Sequence, residues 1–176
     1  MSMLRDHSHE SHAWTVIHIV AFIGAFFILQ MLYQNCRGTP IEHVVIDQIT
    51  VAPSAQLISW LTPQEGVMAR GHSLISRYVH LSVLNGCEGT EAILMLASAI
   101  LVFPRSWKSK LSGIAVGGLL IYLINQARIV TLYYCLRFDR SMFELLHSYI
   151  APTLVIAMTG LYFIYWVSGA KPQQAA

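Results

Sequence analysis

From Trp14 to Leu32 the chain runs without an aspartate, glutamate, lysine or arginine, and from Tyr149 to Val167 it does so again. A bilayer core takes roughly 20 apolar residues in helical form, so each of these stretches is long enough to cross one. The rest of the chain supports that reading. Hydrophobic residues make up 55% of the 176 residues and charged ones 11%, with a mean hydropathy of +0.54, which excludes an ordinary soluble domain. A net charge of +2 is too small to argue for nucleic acid as a partner.

Two further apolar stretches complete the pattern, Ala92 to Phe103 and the longer Leu111 to Leu136, which polar residues interrupt. The sequence therefore predicts an all-α polytopic membrane protein with about four transmembrane helices, organised as a single integral membrane domain over 1–176. We assign a leader to 1–13, spans to 14–33, 86–104, 111–136 and 148–167, and a tail to 168–176. The first span is too long for a cleavable signal and lacks a small-x-small site after it, so it is expected to stay as an anchor.

Residues 34–85 have a different texture, with Pro40, Pro53 and Pro63 and the acidic residues Glu42, Asp47 and Glu65. This insert is expected on the outer face. Within it, 44–61 reads as an interfacial or re-entrant amphipathic segment, with a fifth span as the alternative. Loose alternation over 66–84 around the turn Ala69 to His72 predicts a small β-hairpin.

The loop from Arg105 to Lys110 holds three basic residues and no acid, which places it in the cytoplasm by the positive-inside rule. Counting helical rise from that loop puts Cys87 and Arg128 both about 26 Å above the inner face. The same count along the last span lifts His147 about 28 Å above Trp166. A thiol, a guanidinium and an imidazole are thus expected at one depth.

Those three groups make a nucleophilic kit. Asn85 and Glu88 are spaced as a capping-box-like pair, which would put Cys87 in the first turn of a helix, where the dipole favours the thiolate. His147 can take the thiol proton and return it to a leaving amine, and Arg128 can hold a thiolate or an oxyanion. Asn125, at i−3 from Arg128, is placed to orient it, and Glu91, at i+4 from Cys87, either orients His147 or simply serves the helix dipole.

The order Asn-Gly-Cys-Glu-Gly at 85–89, a hydrophobic run ending in Pro104, Asn125-Gln-Ala-Arg128-Ile and then His147 resembles the exosortase/archaeosortase family of polytopic membrane cysteine transpeptidases, in the form of a compact variant. The resemblance covers roughly 83–167. It implies Cys87 as nucleophile, Arg128 as the cation that orients substrate or stabilises the transition state, and His147 as acid/base partner. It further implies secreted substrates bearing a C-terminal motif, a transmembrane helix and a basic tail. These would be cut on the outer side of a bacterial cytoplasmic (inner) membrane through a thioester, resolved by water or by an acceptor the sequence does not name. Glu88 stands where the family more often has a small or amide residue.

Other groups carry less. The three cysteines make an odd count with no CxxC spacing, and Cys36 and Cys135 read as fillers. His7, His9 and His12 on the leader, His18 and Gln30 in the first span, and the rim of Arg70, His72, Arg77 and His80 suggest no cofactor or metal centre. The rival reading is a non-enzymatic subunit in which Arg128, Asn125 and His147 form a polar packing or ion-handling cluster.

Overall fold

The computed structural model describes residues 3–84 and 86–169, with side chains from Trp14 onwards. Among these residues five helices carry the fold: α1 (Met3–Gln34), α2 (Pro40–Leu61), α3 (Thr90–Val102), α4 (Trp107–Phe138) and α5 (Arg140–Ser168). The apolar part of α1 from Trp14, together with α2, α4 and α5, is long and apolar enough to cross a membrane. The chain is an all-α polytopic membrane protein with one small sheet.

α1 packs along α3, and α3, α4 and α5 pack against one another. Their shared core contains Leu96, Ile100, Ile121, Val155 and Trp166. Small residues let the helices approach closely, as is usual in membrane packing. A Cβ on Gly117 would collide with Leu96 and Tyr162, and one on Gly113 with Trp166. The Tyr162 hydroxyl donates to the Gly113 carbonyl at 2.8 Å.

A second core sits further along α4. Ile129, Leu132 and Tyr133 of α4 meet Val51 and Ile58 of α2 and the buried face of three short strands. These are β1 (Met68–Arg70), β2 (Ser73–Ile75) and β3 (His80–Ser82), antiparallel in that order. The expected hairpin is therefore present and extended by one strand, with a second tight turn at Arg77-Tyr78 after the one at Gly71-His72. Glu65 ties this cap to α4: it is buried, and accepts from the Tyr133 hydroxyl at 2.6 Å and from Arg137 Nε at 3.1 Å.

Two helices differ from the sequence expectation, and proline explains both. Pro53 and Pro152 have no N–H to donate and would clash with the carbonyl four residues back. The expectation was an interfacial or re-entrant segment over 44–61, with a fifth span as the alternative, and a last span starting at 148. Instead each helix widens to a π-helical stretch upstream, over Val44–Val51 and Leu146–Ile150, and continues through the proline. The Ile49 carbonyl that Pro53 frees is taken by the Tyr122 hydroxyl at 3.0 Å. α2 lies along the C-terminal half of α4, from Ile49 beside Tyr122 to Thr62, whose hydroxyl is 2.9 Å from that of Tyr134.

α3 is the short one. Its 13 residues rise about 20 Å, against a hydrocarbon core of about 30 Å, so it does not fill the expected 86–104 span by itself. At the opposite end from Cys87 the basic loop closes helix ends. Arg105 Nη2 donates to the Val167 carbonyl at 2.8 Å and Lys110 Nζ to the Leu101 carbonyl at 2.5 Å, as cations do at helix C-termini.

Candidate active site

The two cores meet on α4 between Ile121 and Ile129, and the polar residues of the chain's middle gather at that seam. Asn125 is fully buried there. Its Nδ2 donates to the Cys87 carbonyl at 3.1 Å, so it anchors the cysteine loop rather than orienting Arg128 as expected. Gln126 binds the other way, into α2: Ser54 Oγ donates to its Oε1 at 2.6 Å, and its Nε2 donates to the Thr50 carbonyl at 3.3 Å. Sequence reasoning missed this last role. Nothing in local periodicity marks a partner more than seventy residues away.

Cys87 does not lie in a first helical turn. Gly86 and Gly89 both have left-handed backbone, φ 94° and 81°, which keeps the chain out of helix until Thr90. Cys87 occupies a turn instead, its N–H donating to the Leu84 carbonyl at 2.9 Å. Asn85, the expected cap, lies outside the described residues. Glu88 is not a cap either. It is buried, and its carboxylate collects the Gly86 N–H at 2.6 Å, the Thr90 hydroxyl at 2.9 Å and the Tyr33 hydroxyl of α1 at 3.1 Å. The Gly86 N–H can only donate, and the two hydroxyls turn their hydrogens to the same carboxylate. Glu91 is the acidic residue in the first turn of α3 and accepts from Gln30 Nε2 at 3.5 Å, the dipole-serving role rather than a partner for His147.

Burial pushes the Cys87 thiol above its ordinary pKa; the Arg128 guanidinium opposes this, and Glu88 and Glu91 add to it. The expected activation by a helix dipole is thus absent, and a thiolate here depends on a nearby cation and a base. Arg128 lines a cavity of about 380 Å³ together with Thr131 of α4 and Leu146 and Ile150 of α5. His147 stands between those last two, in the widened turn that Pro152 imposes, with its ring stacked on Phe143 at 5.3 Å. It is inside a helix, not in the loop before one. Cys87, Phe143 and Leu146 all pack on the second core, that of α2, α4 and the sheet.

Among the described residues no hydrogen bond or ion pair joins Cys87, Arg128 and His147 to one another. Four buried side-chain polar atoms are without a partner: Gln30 Oε1, Asn125 Oδ1, Arg128 Nε and His147 Nδ1. Three of the four belong to this seam. The other two thiols and the first-span imidazole are bonded: Cys36 and Cys135 donate to the Leu32 and Asp139 carbonyls at 3.4 and 3.3 Å, and His18 Nδ1 sits 2.8 Å from the Trp14 carbonyl. No group of side chains that would hold a metal ion is found among the described residues. The side chains of His7, His9 and His12 lie outside them.

The close approach of Asn125 to the cysteine loop gives a direct prediction. A Cβ on Gly89 would lie 3.0 Å from Asn125 Cγ, at a φ that costs an L-residue about 1–2 kcal/mol. Gly89→Ala should therefore shift Asn125 away from the Cys87 carbonyl. We expect normal membrane abundance with any activity of Cys87 cut roughly tenfold or more, as small misplacements of reacting groups do. An unchanged rate would mean that the loop position is unimportant.

Comparison of the chain with family models, with curated proteins and with solved structures returned no match.

Proposed function

We propose that this chain is a membrane-embedded cysteine peptidase or transpeptidase of the exosortase type, acting on the C-terminal signals of secreted proteins at the outer face of a bacterial cytoplasmic membrane. One observation carries the reading. Asn125, Arg128 and His147 each keep a buried polar atom unpartnered, and the Arg128 cation acts on the Cys87 thiol, whose loop Asn125 holds. Unpaired buried groups cost about 1–3 kcal/mol each and call for an explanation. A peptide group entering the seam would supply their partners. A packing cluster, the rival reading, would have bonded them to one another.

In the proposed chemistry His147 accepts the Cys87 proton and the thiolate attacks the substrate carbonyl carbon. Arg128 holds the resulting oxyanion. Collapse breaks the C–N bond, the departing amine takes the proton from His147, and a thioester to Cys87 remains. Water or an acceptor amine then attacks it, releasing the processed protein as an acid or amide and restoring the thiol. Glu88 and Asn125 position the loop without entering the chemistry.

The test is the set of C-termini in the cell envelope, read by mass spectrometry with and without the chain. Secreted proteins that end in a transmembrane helix and basic tail should lose that tail only when the chain is present. An identical set of C-termini in both cells removes the proposal.

A further inference from the structure

Building on the peptidase reading, we propose that the open edge of β3 is the docking track for an extended stretch of substrate peptide, delivering it to Cys87 by main-chain pairing. The ladder fixes which groups are free. Ser76 N–H bonds the Val79 carbonyl at 2.9 Å and Val83 N–H the His72 carbonyl at 2.8 Å, with Leu74 opposite Leu81 between them. Residues 79, 81 and 83 thus spend their main-chain groups on β2, and by the alternation of antiparallel pairing His80 and Ser82 turn theirs outward. Among the described residues no backbone partner meets these four groups.

The other edge of the sheet is different. β1 packs against α2, and Ser59 Oγ donates to the Val67 carbonyl beside it at 3.0 Å. The edge of β1 is thus partly taken by α2, and β3 is the edge strand that leads to the thiol. Ser82 is five residues from Cys87, a reach of at most about 17 Å, and the chain folds back between them through the Cys87–Leu84 bond. A free strand edge of N–H and C=O groups recurring every second residue accepts one kind of occupant, an extended peptide.

A second feature lies at the same place. A cavity of about 520 Å³ with a mixed lining opens beside Leu84, bounded by Glu42, His43, Asp47 and His72 together with Ile46 and Val83. His43 Nδ1 is 3.1 Å from Asp47 Oδ2, so hydrogen-bonding groups stand beside the apolar Ile46 and Val83 in its wall. Main-chain pairing would supply sequence-tolerant affinity, and this cavity would read one polar substrate side chain near the cut.

The probe is an equimolar library of pentapeptidyl chloromethyl ketones, compared with acetyl-alanine chloromethyl ketone, on the protein in nanodiscs. Each loses chloride as Cys87 sulfur bonds the methylene carbon, and labelling is followed by mass spectrometry of the Cys87 peptide. We expect the library to label roughly tenfold faster than the one-residue compound, the effect of one or two net hydrogen bonds. N-methylation of alternate amides in the probe should abolish that gain, while methylation of the intervening ones should not. Ser82→Pro removes an outward N–H without touching the ladder and should abolish it too, whereas Ser82→Ala should keep it. Equal rates for library and one-residue compound, or N-methyl effects without alternation, overturn the docking track. The alkylation needs no turnover, so the track can fail while envelope proteins are still processed, and processing can fail while alternation remains.

Discussion

Cys87→Ala is expected to reach the membrane at wild-type abundance and to leave every substrate with its C-terminal tail. The loop around this residue is held by main-chain bonds, to the Leu84 carbonyl and from Asn125, that alanine makes equally well. Only the sulfur is lost. Without it no thioester forms, and removal of a nucleophile that works as a unit with its base costs on the order of 10⁴-fold or more. Cys87→Ser should be nearly as poor, because a hydroxyl is a weaker nucleophile at neutral pH. Cys36→Ala and Cys135→Ala should process normally, since those thiols only donate to helix carbonyls. In intact cells an impermeant maleimide should block processing by wild type and label Arg77→Cys on the exposed hairpin turn. It should spare Ser106→Cys in the basic loop. Wild-type processing by Cys87→Ala ends the cysteine mechanism, and labelling at 106 inverts the topology.

The sequence revealed the parts of the fold that rest on composition and period. The apolar runs located α1, α4 and α5 because a bilayer accepts little else, and the alternation over 66–84 located the strands. Counting helical rise placed Cys87 and Arg128 at one level, and the structure sets Cys87 against Asn125, one turn from Arg128. What escaped was local detail decided by tertiary contacts. Asn-Gly-Cys-Glu reads as a cap by spacing, yet the left-handed Gly86 and Gly89 and three donors gathered on Glu88 hold it as a turn. The last span reads as starting at 148, after His147, yet the helix begins upstream and passes through Pro152 by widening, and this is what puts His147 in a helix. The pairing of Glu65 with Tyr133 and Arg137 joins residues about seventy apart, beyond any periodic signal.

Arg128→Lys separates a catalytic guanidinium from a membrane anchor. Lysine keeps the charge and can extend its ammonium towards the interface, so an anchor should tolerate it. It has no counterpart of Nε, the buried atom that waits without a partner, and it lacks the planar fork that holds an oxyanion through two bonds. We therefore expect Arg128→Lys to insert normally and to lose turnover by roughly 10²-fold or more, the cost of removing one oxyanion donor. His147→Ala should lose about 10²- to 10⁴-fold, because the raised thiol of Cys87 then has no base. The two losses should share one signature: excess hydroxylamine, an acceptor that needs no general base, speeds only the resolution of a thioester and so restores neither variant, since both fail before the thioester forms. Near-wild-type processing by Arg128→Lys at equal abundance takes Arg128 out of the site and leaves Cys87 and His147 as a dyad.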